Sequence, residues 1–145
     1  MKRMDLPPIW LVVFMAAAWA LAQVAPAVIL GPRPFTAAMC TLAGVVLIAW
    51  SAIWFMRHST PIEPRKTPRV LLASGPYRLN RNPIYTGLAL ILLGWGLWLG
   101  ALTAVLATPV FMALIDRRFV RAEEQGLRDA FGPEAERWLA RTRRW

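Results

Sequence analysis

The stretch NPIYTGLALILLGWGLWLGALTAVLATPVFMALI, residues 82–115, runs for 34 positions without a charge, and its reading decides the fold. A helix rising about 1.5 Å per residue needs about 20 residues to cross a hydrocarbon core of about 30 Å. One helix of this length would reach about 51 Å, too far for a single crossing. Gly94, Gly96 and Gly100 sit near the middle and mark a tight turn. The stretch therefore reads as a helical hairpin with spans at about 83–99 and 101–120. The second helix has neither Gly nor Pro over 113–124, so it can leave the apolar layer at Asp116, Arg117 and Arg118 and continue as a polar extension.

Two further charge-free stretches lie upstream, 27 residues at 6–32 and 23 residues at 34–56, and each is long enough for one span, at about 8–31 and 35–56. Composition agrees: 57% of residues are apolar and 17% charged, against about 45–50% and about 25% in soluble domains. Too few charges remain to cover a soluble surface, and disorder is excluded by the same figures. The expected fold is all-α. It is a polytopic membrane protein in one membrane domain over 1–145, with four transmembrane helices, a cytoplasmic loop at 57–82 and a tail at 121–145 that holds a short cytoplasmic C-terminal helix.

The net charge is +9, and its placement matters more than its size. Lys2 and Arg3, six basic residues of the 57–82 loop and eight arginines from Arg117 to Arg144 all fall on one side of a four-span chain, with Arg33 alone opposite. That asymmetry puts both ends in the cytoplasm, whereas a three-span chain would strand the eight tail arginines outside. The basic surplus then serves orientation and contact with lipid headgroups, so membrane lipids are expected partners and nucleic acid is not. Ala20-Leu21-Ala22 resembles a signal-peptide cleavage site, but the apolar run before it exceeds a typical signal core of about 7–15 residues. Cys40 reads as a packing residue, and one cysteine and one histidine point to no metal site. Gln23, Thr41, Ser51, Thr103 and Thr108 read as interhelical hydrogen bonders, and Trp10, Trp54 and Trp98 as interface anchors.

Two cytoplasmic segments are richer than orientation requires. The first, residues 57–87, contains Pro61, Pro64, Pro68, Pro76 and Pro83, which exclude a long helix and imply defined turns. Ser74-Gly75-Pro76 marks one turn. Asn82-Pro83 marks a helix start, with Asn as N-cap and Pro in first position. With Arg78 and Arg81 beside those backbone N–H groups, the loop makes a donor-rich cup suited to a carboxylate or phosphate. The second segment carries Glu123 and Glu124, which could accept hydrogen bonds from ribose hydroxyls or an ammonium group. Glu124 has Arg128 at i+4, a conventional surface pair, so Glu123 is the better candidate to face inward.

GPYRLNRNPIYTG at 75–87, followed by an apolar hairpin and then EE-x6-FG at 123–132, resembles the isoprenylcysteine carboxyl methyltransferase and phospholipid methyltransferase family of integral membrane enzymes. The resemblance covers about residues 57–145; the first two spans match only in being apolar. It implies a binding site for S-adenosylmethionine made by the loop before the hairpin and the carboxylates after it. By position, Gly75 and Tyr77 match the family's Gly-Pro-Tyr turn, Arg81, Asn82, Pro83 and Tyr85 its Arg-(His or Asn)-Pro-x-Tyr segment, and Glu123 and Glu124 its acidic pair. In those roles Arg or backbone donors would take the methionine carboxylate, a Glu the ribose or α-ammonium, and Tyr faces would lie near adenine or the sulfonium. The hairpin becomes the wall along which a lipophilic acceptor arrives: an isoprenylcysteine-like carboxylate, a phospholipid amine, or a small thiol or acid. Arg81 is the expected catalytic residue, orienting an anionic acceptor, while Glu123 would assist an amine.

The chain departs from the family where Ala135, Trp138 and Arg143 stand in place of the usual Tyr and Pro residues, which bears on the acceptor. His58 aligns with a histidine often seen before the Pro-rich loop, yet a lone histidine at a membrane boundary is more often a surface polar group. Two other functions fit part of the pattern. An NADPH-dependent membrane reductase would share the Arg-(His or Asn)-Pro-x-Tyr segment but not the Glu pair. A non-catalytic module for anionic lipid or a partner helix would explain the basic loops but not the spacing of the two motifs. The methyltransferase requires Glu123 or Glu124 to approach the 77–85 loop, and a non-catalytic module has no such need.

Overall fold

Four helices open on a proline, because its fixed φ suits the first turn and its missing N–H is one that a helix start leaves unpaired. The computed structural model describes residues 6–25, 31–58 and 70–145. Among these, the helices are α1 (Pro7–Val24), α2 (Pro34–Arg57), α3 (Pro83–Leu99), α4 (Leu102–Ile115), α5 (Arg121–Phe131) and α6 (Pro133–Arg141). A 3-10 turn (Gly75–Arg78) precedes α3, and a π-helical turn (Asp116–Val120) joins α4 to α5. The structure is all-helical, with no strand among the described residues.

α1 and α2 are long and apolar enough to cross a membrane, and only 11% of each span is buried within the chain. Val12, Val24, Phe35 and Leu42 stand exposed on them, a distribution opposite to that of a soluble core helix. α3 is a shorter apolar helix, and α3 and α4 form the expected hairpin. Its tip is Gly100, at φ +69° in the left-handed region, with its N–H donating to the Gly96 carbonyl. A side chain there would also strike the Gly31–Pro32 backbone, so the tip packs on the link before α2.

α2 lies against α3 more extensively than any other pair of elements, and glycines permit it. A Cβ on Gly44 would fall 2.5 Å from the Gly87 carbonyl oxygen, one on Gly87 2.7 Å from the Gly44 carbonyl oxygen, and one on Gly94 against the Thr41 hydroxyl. Small residues let two backbones approach where lipid removes any hydrophobic drive between helices. α1 closes on the hairpin through an edge-on Phe14–Phe111 pair at 5.4 Å and through the Trp95 indole, which donates to the Met15 carbonyl at 3.0 Å. Leu92, Phe111, Ile115, Phe119 and Val120 form the fully buried centre.

Several expectations need adjustment. The first helix ends at Val24, with residues 26–30 of that expected span outside the described residues, as are Lys2, Arg3 and residues 59–69 of the loop. The last expected span is α-helical only to Ile115 and then π-helical to Val120. The tail holds two helices, broken at Gly132 with φ +50°. Thr103 and Thr108 leave their buried hydroxyls without partners, and around Thr103 the reason is visible: Phe14, Ala17, Leu21 and Leu106 offer no side-chain acceptor. Ser51 donates to the Leu47 carbonyl of its own helix at 2.7 Å and also meets the Tyr77 hydroxyl from the turn before α3. Trp98 stands exposed, whereas Trp10 lies under the Arg118 guanidinium at 5.1 Å and Trp54 floors a turn described below.

Candidate active site

The site gathers where the 3-10 turn, the start of α3, α5 and residues 139–145 converge. Gly75 opens the turn at φ +59°, and a Cβ there would lie 2.6 Å from the Trp54 ring, so both backbone and space require glycine. The turn closes with the Tyr77 N–H on the Ser74 carbonyl at 3.2 Å. Tyr77 is buried edge-on against Phe55 at 5.4 Å. Burial and the negative charge of Glu123 raise its phenol well above the usual range, outweighing a hydrogen bond with Ser51, so it stays neutral at any physiological pH. His58 ends α2, its Nδ1 donating to the Trp54 carbonyl at 2.8 Å.

The next residues lead into α3. Asn80 Oδ1 accepts the Asn82 N–H at 3.0 Å, which sets the bend before Pro83. Asn82 caps α3 through its backbone alone: its carbonyl accepts the Thr86 N–H and hydroxyl, while its side-chain amide donates to the Arg144 carbonyl at 3.0 Å. The expected side-chain cap is therefore absent, because Pro83 leaves fewer N–H groups to cap and the tail offers a better acceptor.

Arg81 points into the fold, away from the surface cup expected of it. Its Nη1 meets Glu124 Oε1 at 2.8 Å, Nε donates to the Thr142 carbonyl at 2.6 Å, Nη2 donates to the Leu139 carbonyl, and its backbone N–H donates to the Arg143 carbonyl at 2.8 Å. Arg78 remains exposed.

Both glutamates reach the loop. Glu123 is half-buried and its Oε1 accepts the Tyr85 hydroxyl at 2.6 Å. Glu124 is only 4% exposed. The expected pairing of Glu124 with Arg128 is corrected: Arg128 pairs with Glu136 at 2.8 Å, and Glu124 takes Arg81 and Arg144. The physical reason lies upstream, where the π turn widens the helix by one residue and turns both carboxylates toward the mouth of the hairpin. Burial alone would raise the Glu124 carboxyl, but hydrogen bonds from Arg144 and Arg81 hold it below its ordinary value.

The sequence does not single out Arg144, since nothing local separates it from seven other tail arginines. It forks onto Glu124, with Nη2 to Oε2 at 2.6 Å and Nε to Oε1 at 3.0 Å, and its Nη1 reaches Asp116 Oδ1 at 3.0 Å. The Glu124 hydrogen bonds lead the forces that raise its guanidinium above the ordinary value. Asp116 also accepts Arg121 Nε at 3.0 Å. Among the described residues no group of three or more His, Cys, Asp or Glu side chains is placed to hold a metal ion.

Two carboxylates, two tyrosines and a glycine turn thus meet at one end of the hairpin, and comparison with known proteins gives the arrangement a context. The family model described as phospholipid methyltransferase matches residues 32–134, which span the 3-10 turn, the hairpin and the acidic pair. The chain belongs to the phospholipid methyltransferase family. An uncharacterized protein of Haemophilus influenzae is 40% identical over 62 residues, covering 43% of this chain and 98% of that relative. No solved structure matches. Membership in the phospholipid methyltransferase family, with two membrane-length apolar helices, points to a membrane protein with methyltransferase activity.

Proposed function

We propose that this protein transfers a methyl group from S-adenosylmethionine to a lipophilic acceptor at the cytoplasmic surface of a membrane. The observation that carries the reading is the Tyr85–Glu123 contact, which joins the loop segment to the acidic pair across the mouth of the hairpin in a chain of this family. A lipid-binding module has no need of that contact. The donor set also suits the cofactor: carboxylate and phenol groups for ammonium and ribose, and aromatic faces for a sulfonium or a purine.

In this reading Glu123, Tyr85, Tyr77, Gly75, Asn82 and Pro83 form the cofactor side of the site, and Glu124 supports it. α1 to α4 cross the membrane as four spans, the last extended through the π turn, and both chain ends are cytoplasmic. S-adenosylmethionine supplies a methyl group on a sulfonium, which departs as a neutral thioether once the methyl is displaced. The protein's task is to align the acceptor and keep water out.

Arg81 acts here as a positioning residue, because its three guanidinium nitrogens already serve Glu124 and the tail carbonyls. With that charge occupied, the half-buried Glu123 is the group suited to an acceptor that arrives protonated. We therefore favour a phospholipid amine: Glu123 takes the proton from the ammonium, and the freed nitrogen lone pair forms the new N–C bond as the methyl–sulfur bond breaks.

Calorimetry with detergent-purified protein tests the cofactor assignment, using S-adenosylhomocysteine and S-adenosylmethionine, NADPH as comparator and Glu123→Ala as control. Saturable binding of the first two that is lost in the variant is expected. Binding of NADPH alone would sink the proposal in favour of a reductase, and binding of none by folded protein would leave a lipid or partner module.

A further inference from the structure

The charges gathered on the buried Glu124 exceed what a cofactor site needs. Oε1 already accepts two hydrogen bonds, from Arg81 and Arg144, and Oε2 accepts one from Arg144. A carboxylate has about four acceptor positions, so most of this one is used within the chain. The same arginine also holds Asp116 in the π turn. The backbone carries the pattern further: the carbonyls of Leu139, Thr142 and Arg143 accept from Arg81, and that of Arg144 accepts from Asn82. Trp145 then packs against the cluster that includes Tyr85 and Phe119.

We propose that residues 139–145 form a strap that assembles the active site, with Arg144 as a positioning residue that acts through Glu124 to hold α5 against the Arg81 loop and so keeps Glu123 within reach of Tyr85. Glu123 and Glu124 then divide the work. Glu123 meets the ligand, and Glu124 is the fixed point to which loop, π turn and tail are all tied. This division rests on the methyltransferase reading above, but the strap can be observed without any ligand.

The physical case lies in how many elements one ion-pair network joins, with Glu124 bound by Arg81 and Arg144 and Arg144 in turn bound to Asp116. Arg81 comes from the loop before α3, Arg144 from the tail and Asp116 from the π turn, with Arg121 held on Asp116 and Glu123 one residue away on α5. Truncating one partner of a buried charge pair leaves the other charge uncompensated. Without Arg144, Glu124 would keep only Arg81 against its burial, and its carboxyl would move upward toward neutrality. Protonation would then loosen the remaining Arg81 contact at a pH where the wild-type site is intact.

The test combines two measurements on the full chain in detergent: amide hydrogen exchange over 79–86 and 139–145 without ligand, and S-adenosylhomocysteine affinity from pH 5.5 to 8. The variants are Arg144→Gln, Arg144→Lys and the exposed control Arg137→Gln. Arg144→Gln is expected to speed exchange in both segments and weaken affinity by about 10-fold to 100-fold, as small misplacements in active sites do. The loss should deepen toward pH 5.5, where wild type stays level. Arg144→Lys keeps the charge, remains foldable and should recover part of the affinity, and Arg137→Gln should match wild type. Faster exchange with unchanged affinity and pH profile would make the tail a structural clasp only and overturn the proposal. Unchanged exchange would overturn the strap itself. If wild type binds no S-adenosylhomocysteine, the methyltransferase reading fails and this proposal with it, while exchange still reports whether the strap exists.

Discussion

The Tyr85 hydroxyl donates to Glu123 Oε1 across 2.6 Å, so the first turn of α3 and the first turn of α5 share one hydrogen bond although 38 residues separate them. Everything proposed for the site depends on that closure. Tyr85→Phe keeps the ring that packs near Phe119 and removes only the donor. Its expected effect is a stability loss of about 1 kcal/mol and a weakening of S-adenosylhomocysteine binding by about 5-fold to 10-fold, as for loss of one net hydrogen bond. Thermal unfolding and calorimetry on the same sample check both, and unchanged binding would take Tyr85 out of the cofactor side.

Arg81→Ala removes a guanidinium that ties Glu124 to two tail carbonyls. Breaking a buried ion pair from one side costs about 3–5 kcal/mol. Activity and stability should therefore fall together, with the 139–145 segment becoming protease-sensitive. A variant with wild-type melting temperature and no activity would instead return Arg81 to direct contact with the acceptor.

The pairing of Glu124 sets an acid limit on stability. Its folded-state carboxyl lies below the ordinary value of about 4.3, so its contribution is complete above that value and is lost as pH falls through the lower, folded-state one. Melting temperature measured from pH 7 down to pH 3 should drop on the acid side. Glu124→Gln should lower the plateau and flatten that limb; an unaltered acid limb would assign it to other carboxylates.

Two glycine substitutions should act in opposite directions. Gly87→Ala places a Cβ 2.5 Å from the Ile48 side chain and 2.7 Å from the Gly44 carbonyl oxygen, and overpacking of this kind costs about 1–3 kcal/mol. Gly126→Ala, inside α5 with nothing within 4 Å of the new Cβ, should stabilise by about 0.5–1 kcal/mol through helix propensity. Comparison of the two melting curves with wild type checks the pair.

The four-span topology is testable by labelling. In a Cys40→Ser background, Arg143→Cys should react with a membrane-impermeant maleimide only from the cytoplasmic side, and Phe35→Cys, at the opposite end of α2 from His58, only from the other. Labelling of both from the same side would overturn the orientation.

The helices were legible because their signals are local. Charge-free runs, a proline at the starts of α1, α2, α3 and α6 and a glycine at the hairpin tip all act within a few residues, and α3 runs from Pro83 to Leu99. The π turn left no such signal: DRRFV at 116–120 has ordinary helix formers, and the widened turn is seen only once Asp116, Arg144 and the α5 carboxylates are in place. Glu124 shows the same limit. Its i+4 neighbour Arg128 suggested a surface pair, yet helix rotation buried the carboxylate and left Arg128 to Glu136.

By itself the sequence determined the apolar helices, the concentration of arginine toward one end and the motif residues, because hydropathy, length and turn chemistry are properties of short segments. Only the tertiary structure decided which charges meet. Glu124 draws its partners from 43 residues upstream and 20 downstream, and no local rule selects Arg81 and Arg144 from 17 basic residues. A buried carboxylate must be neutralised by whatever the packed helices bring to it, and that is settled only when the hairpin, the π turn and the tail close on one another.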